Sequence, residues 1–555
     1  MRTGRFILVG IEVLFLSVLI LATRCSNYPK VFVASNVYFT DADCYARMSR
    51  VQMCAAQPGL IVRHHNFENF PQGTSPHTTA PLDYLILSLA IFLRPFTSHA
   101  IDLAGALVSP VLALAGSWFL WWWSRTFRYR WPMLILYSIS PILVHGTELG
   151  RPDHQSLLML LVMVALCLEG SSWSGTTCES RTRAETSITG DDGIRESRMP
   201  SLRLSVVKGL AWGAALWVSL YELLLLLGIV VATSAIRRLS VQKSASTNAF
   251  GNIFDANLRA ALVALGTVVV FAVVIERRVP LLSIFYSDPI FNWSGTIGEL
   301  SSVSPLNPIW FRWAGCLIAI APFLVWLRFR QRRNKANAVT MPTAIFVLLP
   351  ASYLLTIWQA RWAYFFVLIL TIALPSLLEP IKSRFVVWLV FVLSIFSVLR
   401  DWDERLWPND AELARRAERR MESIQVRELA IMMRSPQTHP FLAPWWVSPE
   451  ISYWSGQPGV AGSSHESLPG IADSARFYLS EEPESAREIL RDRQVEWVFA
   501  CDSDRVIQNS AALLGMGAPA QSMCRILDRT PAQAPAFFML TAQNGGGKLF
   551  RVNKR

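Results

Sequence analysis

Eleven apolar runs long enough to cross a bilayer recur along the chain. The first, Phe6 to Thr23, follows Arg2 and Arg5; the others lie near 101–123, 131–148, 155–170, 204–219, 220–236, 257–276, 311–328, 341–357, 362–379 and 384–400. The first run is longer than a signal-peptide core and no A-x-A cleavage site follows, so it reads as a retained helix. With 52% hydrophobic and 17% charged residues, the chain is neither an ordinary soluble protein nor a disordered one. It is read as a multi-pass α-helical membrane protein.

The net charge of +12 does not indicate nucleic acid, because the basic residues cluster beside the apolar runs, as the positive-inside rule expects. The clusters are Arg125–Arg130, Arg181–Arg203, Arg237–Lys243, Arg328–Lys335 and Lys382–Arg384. All fall inside if Leu82–Leu93 lies along the interface rather than across it. The N-terminus is then cytoplasmic and the C-terminus outside. The same parity places 24–100, 148–155, 277–310 and 359–361 on the outer face, while the Ser/Thr/Arg/Gly-rich stretch 171–203 is an inner linker.

Composition shifts near residue 401. Residues 401–435 have helical periodicity, Glu481–Cys501 reads as a helix with Pro483 near its start followed by a strand, and 401–555 is long enough for one soluble α/β domain. Residues 1–400 form the membrane domain. The eight cysteines show no metal spacing; Cys44 with Cys54, and Cys501 with Cys524, are either disulfides or free thiols.

Acidic residues recur in the outer breaks. Asp43 lies in Phe39-Thr40-Asp41-Ala42-Asp43-Cys44-Tyr45, where a carboxylate suits Mg²⁺ or Mn²⁺ or simply caps a helix. Asp153, in Gly150-Arg151-Pro152-Asp153-His154-Gln155, opens the next helix as a ligand or as a cap. Glu299 closes Thr296-Ile297-Gly298-Glu299 in a polar outer loop. Arg361, after Trp358-Gln359-Ala360, either snorkels to headgroups or binds a phosphate. A carboxylate facing lipid is costly, so three on one side of a membrane suggest a shared site.

Together these motifs resemble the catalytic subunit of oligosaccharyltransferases, C-type (GT-C) glycosyltransferases that move a glycan from a polyprenyl-phosphate-type carrier to protein. Asp43-Cys44-Tyr45 is similar to the family's acidic-x-Tyr motif, and Asp153-His154-Gln155 to its Asp-His-His run. Thr296-Ile297-Gly298-Glu299 matches its T-I-x-E motif, and Asn66–Gly73 with Thr79–Leu82 its first outer loop. The resemblance implies that Asp43, Asp153, Gln155 and Glu299 hold Mn²⁺ or Mg²⁺, with Asp43, Asp153 and Glu299 catalytic. It implies that Arg361 contacts the lipid phosphate and that Trp445, Trp446 and Glu299 meet the acceptor. It further implies a polyprenyl-(pyro)phosphate-linked glycan and an acceptor polypeptide as partners, membrane lipid around the chain, and a prokaryotic inner membrane.

Two positions depart from the pattern. Gln155 supplies an uncharged oxygen where the family has Asp, Glu or His. The W-W-D-Y-G motif is Trp445-Trp446-Val447-Ser448-Pro449 here, lacking the Asp that reads the acceptor's Ser/Thr hydroxyl. The expected function is glycan transfer to asparagine, with transfer of one sugar from a polyprenyl monophosphate to lipid or Ser/Thr as the alternative. A transporter would need paired broken helices and inverted repeats; neither is visible in the sequence.

Overall fold

The computed structural model describes residues 2–185, 198–244, 256–278, 288–332 and 343–553. The expected linker therefore falls outside the described residues over 186–197, as do 279–287 of the outer loop and Lys335 of one basic cluster.

Where it is described, every apolar run forms helix, but not always one straight rod. By length and composition, four described helices can each cross a membrane alone: Phe6–Arg24, Ala100–Thr126, Ala256–Glu276 and Ala360–Leu378. Arg384–Ser394 and Phe396–Leu406 make a fifth if taken together, although they bend by 48°. Other expected spans are shorter apolar helices, including His154–Glu169, Tyr221–Ile236 and Ala344–Trp358. The Ala80–Leu93 helix, at 14 residues, reaches about 21 Å, less than a bilayer core of about 30 Å.

The difference from eleven unbroken spans has a local cause. The 311–328 run breaks between helices Ile309–Ala314 and Leu317–Arg332 at Gly315, whose φ of +69° ends the first helix. A Cβ on Gly315 would lie 2.1 Å from the carbonyl oxygen of Ser394, beside the bend of the 384–406 pair. There Cys316 N donates to Ser394 O at 2.7 Å, so one broken helix satisfies a carbonyl freed by the other. Paired broken helices thus exist, contrary to the sequence reading, because a single glycine and a Ser-Ile step give no proline signal.

The bundle is built around one helix. All sixteen residues of Ala363–Leu378 are buried, whereas Phe6–Arg24 and Ala256–Glu276 keep most of their apolar surface outward, as lipid-facing helices do. Outside the bundle a hairpin, β1 (Phe32–Val33) with β2 (Asn36–Val37), precedes the Ala42–Ala56 helix. The C-terminal region carries β3 (Phe441–Leu442), β4 (Trp497–Ala500), β5 (Phe538–Asn544) and β6 (Gly547–Val552), ordered β3-β4-β6-β5. The β3–β4 pair is parallel and the others antiparallel. The predicted helix and strand appear as Pro483–Asp492 and β4, with Pro483 at the first turn.

Two cores tie this region down. One lies within it, around Leu442, Phe477, Val498 and Phe550. The other joins Tyr45, Met48 and Leu82 of the first loop to Ile451, Trp454, Phe499 and Leu549. Cysteines 44, 54, 501 and 524 are free thiols. Cys44 and Cys54 lie ten residues apart on one helix, about 15 Å along its axis, beyond disulfide reach.

Asp83 anchors the first loop to the Ala80–Leu93 helix. Its carboxylate, 1% exposed, accepts from Arg47 at 2.9 Å and from Arg50, both buried. Replacing Asp83 by Asn should cost about 3–5 kcal/mol, because it leaves two buried guanidiniums without their counter-charge. Thermal unfolding of the detergent-solubilised variant should show a clear fall in midpoint; an unchanged midpoint would refute this anchoring role.

Candidate active site

The first loop enters the site through a helix cap. Asp41 caps Ala42–Ala56, its Oδ1 accepting from Cys44 N at 3.0 Å, while Oδ2 meets Arg151 at 3.1 Å. Asp43 follows in the first turn. Its side chain is exposed to solvent, yet the protein crowded around it and then Asp41 push its carboxyl up to about 7. A hydrogen bond with Ser463 opposes that rise, and the fields of Asp153 and Glu299 add to it. The three acids expected from the sequence therefore share one electrostatic neighbourhood.

The second strip is pinned from behind. Gly150 N donates to Ala106 O at 3.0 Å and its own carbonyl accepts from Thr40 N at 3.0 Å. Its φ is +75° and a Cβ would lie 2.7 Å from Val31, so glycine is required. Arg151, 6% exposed, donates to Glu299 at 3.0 Å as well as to Asp41. Asp153 pairs with His154 at 2.7 Å. Burial raises the Asp153 carboxyl, but His154 and then Arg151 outweigh burial and hold it well below the usual carboxylate range. Gln155 is 1% exposed and its Oε1 has no hydrogen-bond partner.

The third strip carries Glu299 on the short 3-10 turn Gly298–Leu300. Its Oε1 accepts from Arg151 and from Tyr364 OH at 3.2 Å. Tyr364 in turn meets His145 Nδ1 at 2.8 Å. Backbone bonds from Ala360 N to Ser301 O (2.9 Å) and from Val303 N to Ile357 O (3.0 Å) dock this loop against the turn bearing Arg361. Arg361 is paired, its Nη2 lying 2.6 Å from Glu222, which is 1% exposed. Its Nε is buried and has no hydrogen-bond partner among the described residues.

The two tryptophans part company. Trp445 packs edge-on against Trp293 at 5.9 Å, in a cluster that includes Ile297 of the T-I-x-E stretch. Trp446 faces the C-terminal core, with Arg505 4.9 Å above its ring. Ser448 is committed, its hydroxyl donating to Ala461 O at 2.6 Å.

Several residues near the acids carry no sequence signal. Asp41, Arg151, Tyr364 and Glu222 each acquire a role from a contact made far along the chain. Glu68, buried beneath Ser463 and Ser464, is pushed up to about 8 by that burial. His77, His465 and Glu466 form the one metal-capable cluster among the described residues, their ligand atoms within 4.8 Å of one another. Glu466 accepts from His77 Nδ1 at 2.8 Å, and the His77 ring lies 6.5 Å from that of His154.

No protein-family model matches the chain, and no curated protein matches it. Solved structures do. The archaeal oligosaccharyltransferase AglB from Archaeoglobus fulgidus, in complex with an inhibitory peptide and a dolichol-phosphate, superposes with a TM-score of 0.61 at 14% identity, over 90% of this chain and 70% of that one. The same organism's oligosaccharyltransferase in complex with Zn and sulfate gives 0.60 at 14% identity, over 88% and 67%. ArnT from Cupriavidus metallidurans, bound to undecaprenyl phosphate, gives 0.52 at 12% identity, over 99% and 98%. What the chain shares with these proteins at such identities is the fold: it is a multi-pass helical membrane protein of the GT-C type.

Proposed function

We propose that the chain is a membrane glycosyltransferase that moves a glycan from a polyprenyl-(pyro)phosphate carrier to an acceptor. One observation carries this reading: Asp43, Asp153 and Glu299, from three separated segments, are near enough for Asp43 to feel the charges of the other two, and Arg151 bonds Glu299. Dolichol-phosphate and undecaprenyl phosphate in structures of the same fold support a lipid-phosphate donor.

A divalent cation would have to draw this donor set together: as they stand, the three acids do not bring their oxygens within 4.8 Å of one another, as the ligand atoms of His77, His465 and Glu466 are. Asp153 is ionised, and the Gln155 oxygen is buried without a partner, an arrangement that costs free energy unless something binds it. Asp43, Asp153, Gln155 and Glu299 would hold Mn²⁺ or Mg²⁺, whose charge counters that of the departing phosphate. Arg361 contributes a second positive contact. Asp43 and Glu299 orient the acceptor nucleophile. Its new bond to the anomeric carbon replaces the bond from that carbon to phosphate, and its proton passes to a carboxylate.

Asparagine within an N-x-Ser/Thr segment is the first acceptor to test. One observation favours the alternative, a single sugar passed from a polyprenyl monophosphate to lipid or Ser/Thr. Val447 has no hydrogen-bonding side chain and Ser448 is 1% exposed, so neither residue offers an accessible side-chain acceptor to a sequon hydroxyl.

The decisive experiment incubates purified protein with Mn²⁺, a lipid-linked glycan extract and a peptide library, and locates the transferred sugar. Asp153→Ala should reduce transfer by at least ~10²-fold; a fully active variant would place the chemistry elsewhere. Because the Asp43 carboxyl is raised to about 7, it holds its proton below that pH and releases it above. Mn²⁺ affinity should therefore rise from pH 6 to pH 8, and Asp43→Asn should flatten the rise. A wild-type affinity independent of pH would remove Asp43 from the ligand set.

A further inference from the structure

A second cavity, of about 770 Å³, lies between the 26–30 segment, the His145–Glu148 turn and residues 401–420. It is strongly basic. Seven cationic side chains and four carboxylates line it. Asp401 pairs with Arg312 and Arg405, and Glu412 with Arg415 and Arg416. Among the described residues no carboxylate pairs with Lys30, Arg419 or Arg420.

The helix Asp410–Met432 stacks Arg415 over Arg419 and Arg416 over Arg420, each four residues apart. Like charges at that spacing destabilise a helix unless an anion lies between them. Across the cavity, burial and the fields of Arg416 and Arg419 push the Lys30 ammonium below its ordinary value, with Glu148 opposing. A merely solvated helix face would not have a lysine from another segment turned toward it. The rim also has an apolar side, with Leu406 and Trp407 54% and 73% exposed.

The cavity borders the acid cluster separately from the Arg361 side. Its wall residue His145 touches Tyr364 at 2.8 Å and Arg151 at 3.2 Å, the two partners of Glu299. A pocket of about 30 Å³ lined by His77, His154 and Tyr221 lies on the other side, with Arg361 5.7 Å over the Tyr221 ring. The two cavities have no lining residue in common.

We infer that the arginine-lined cavity is the acceptor-side site and that it takes a phosphate-bearing ligand, an anionic lipid headgroup whose tail rests on the Leu406–Trp407 rim. The acceptor assignment rests on the lipid-acceptor alternative above, not on the asparagine one; the phosphate recognition rests on neither. Native mass spectrometry of the full chain in neutral detergent tests it with phosphatidylglycerol, phosphatidylcholine and inorganic pyrophosphate as probes. Arg419→Ala with Arg420→Ala should lower phosphatidylglycerol affinity by about 10-fold or more, while phosphatidylcholine shows no such dependence. The paired control Arg487→Ala with Arg491→Ala, on an exposed helix elsewhere, should bind as wild type. Asp153→Ala should keep full lipid binding while losing transfer, which separates the two readings. A pyrophosphate affinity that falls in the same variant supports phosphate recognition and identifies a free anion as a competent source. Phosphatidylglycerol and pyrophosphate binding both unchanged in the Arg419/Arg420 variant would overturn the inference and leave a solvated helix face.

Discussion

Arg151 is the residue on which the site depends. Its guanidinium holds Asp41 at 3.1 Å and Glu299 at 3.0 Å, so it joins the first outer loop, the 148–155 turn and the T-I-x-E loop. Without a central cation these two carboxylates, 35% and 38% exposed, would repel one another with no shared counter-charge. The arrangement is stable as a set and fragile in its parts, since a buried charge that loses its partner costs far more than the intact pair contributes. Tyr364, rising from the buried central helix, adds a neutral donor that fixes Glu299 to the rigid part of the bundle.

Much of the site was readable from residue type and position. Asp43, Asp153 and Glu299 stood out because each falls in a short polar break beside an apolar run, where a carboxylate needs a reason. Their partners were not readable. Arg151 and Glu299 are 148 residues apart, and Arg361 reaches Glu222 from a different helix; no local pattern encodes such pairings. The tryptophan pair shows the same limit, because Trp445 and Trp446 are neighbours in sequence but pack on different cores. Helix breaks at Gly315 and Ile395 were hidden because hydropathy continues across them.

The division of charge around the acids gives the site a direction. On one side Arg361 is held by Glu222, and in the proposed reading it would meet the donor phosphate. On the other, the cavity reached through His145 gathers arginines with too few carboxylates to neutralise them. In the proposed transfer, donor and acceptor would be kept apart until both are seated, and two sides of different charge density would meet that need. In that reading the carboxylates between them, with Glu299 held by Arg151, would orient the acceptor nucleophile.

The most direct test is an experimental structure of the chain with polyprenyl phosphate bound. The account predicts the phosphate beside Arg361, with the Asp43 and Asp153 carboxylates at its edge and the Lys30–Arg419 cavity free of it. A phosphate seated instead between Lys30 and Arg419, with Arg361 still engaged only by Glu222, would contradict the assignment of donor and acceptor sides and with it the proposed direction of transfer.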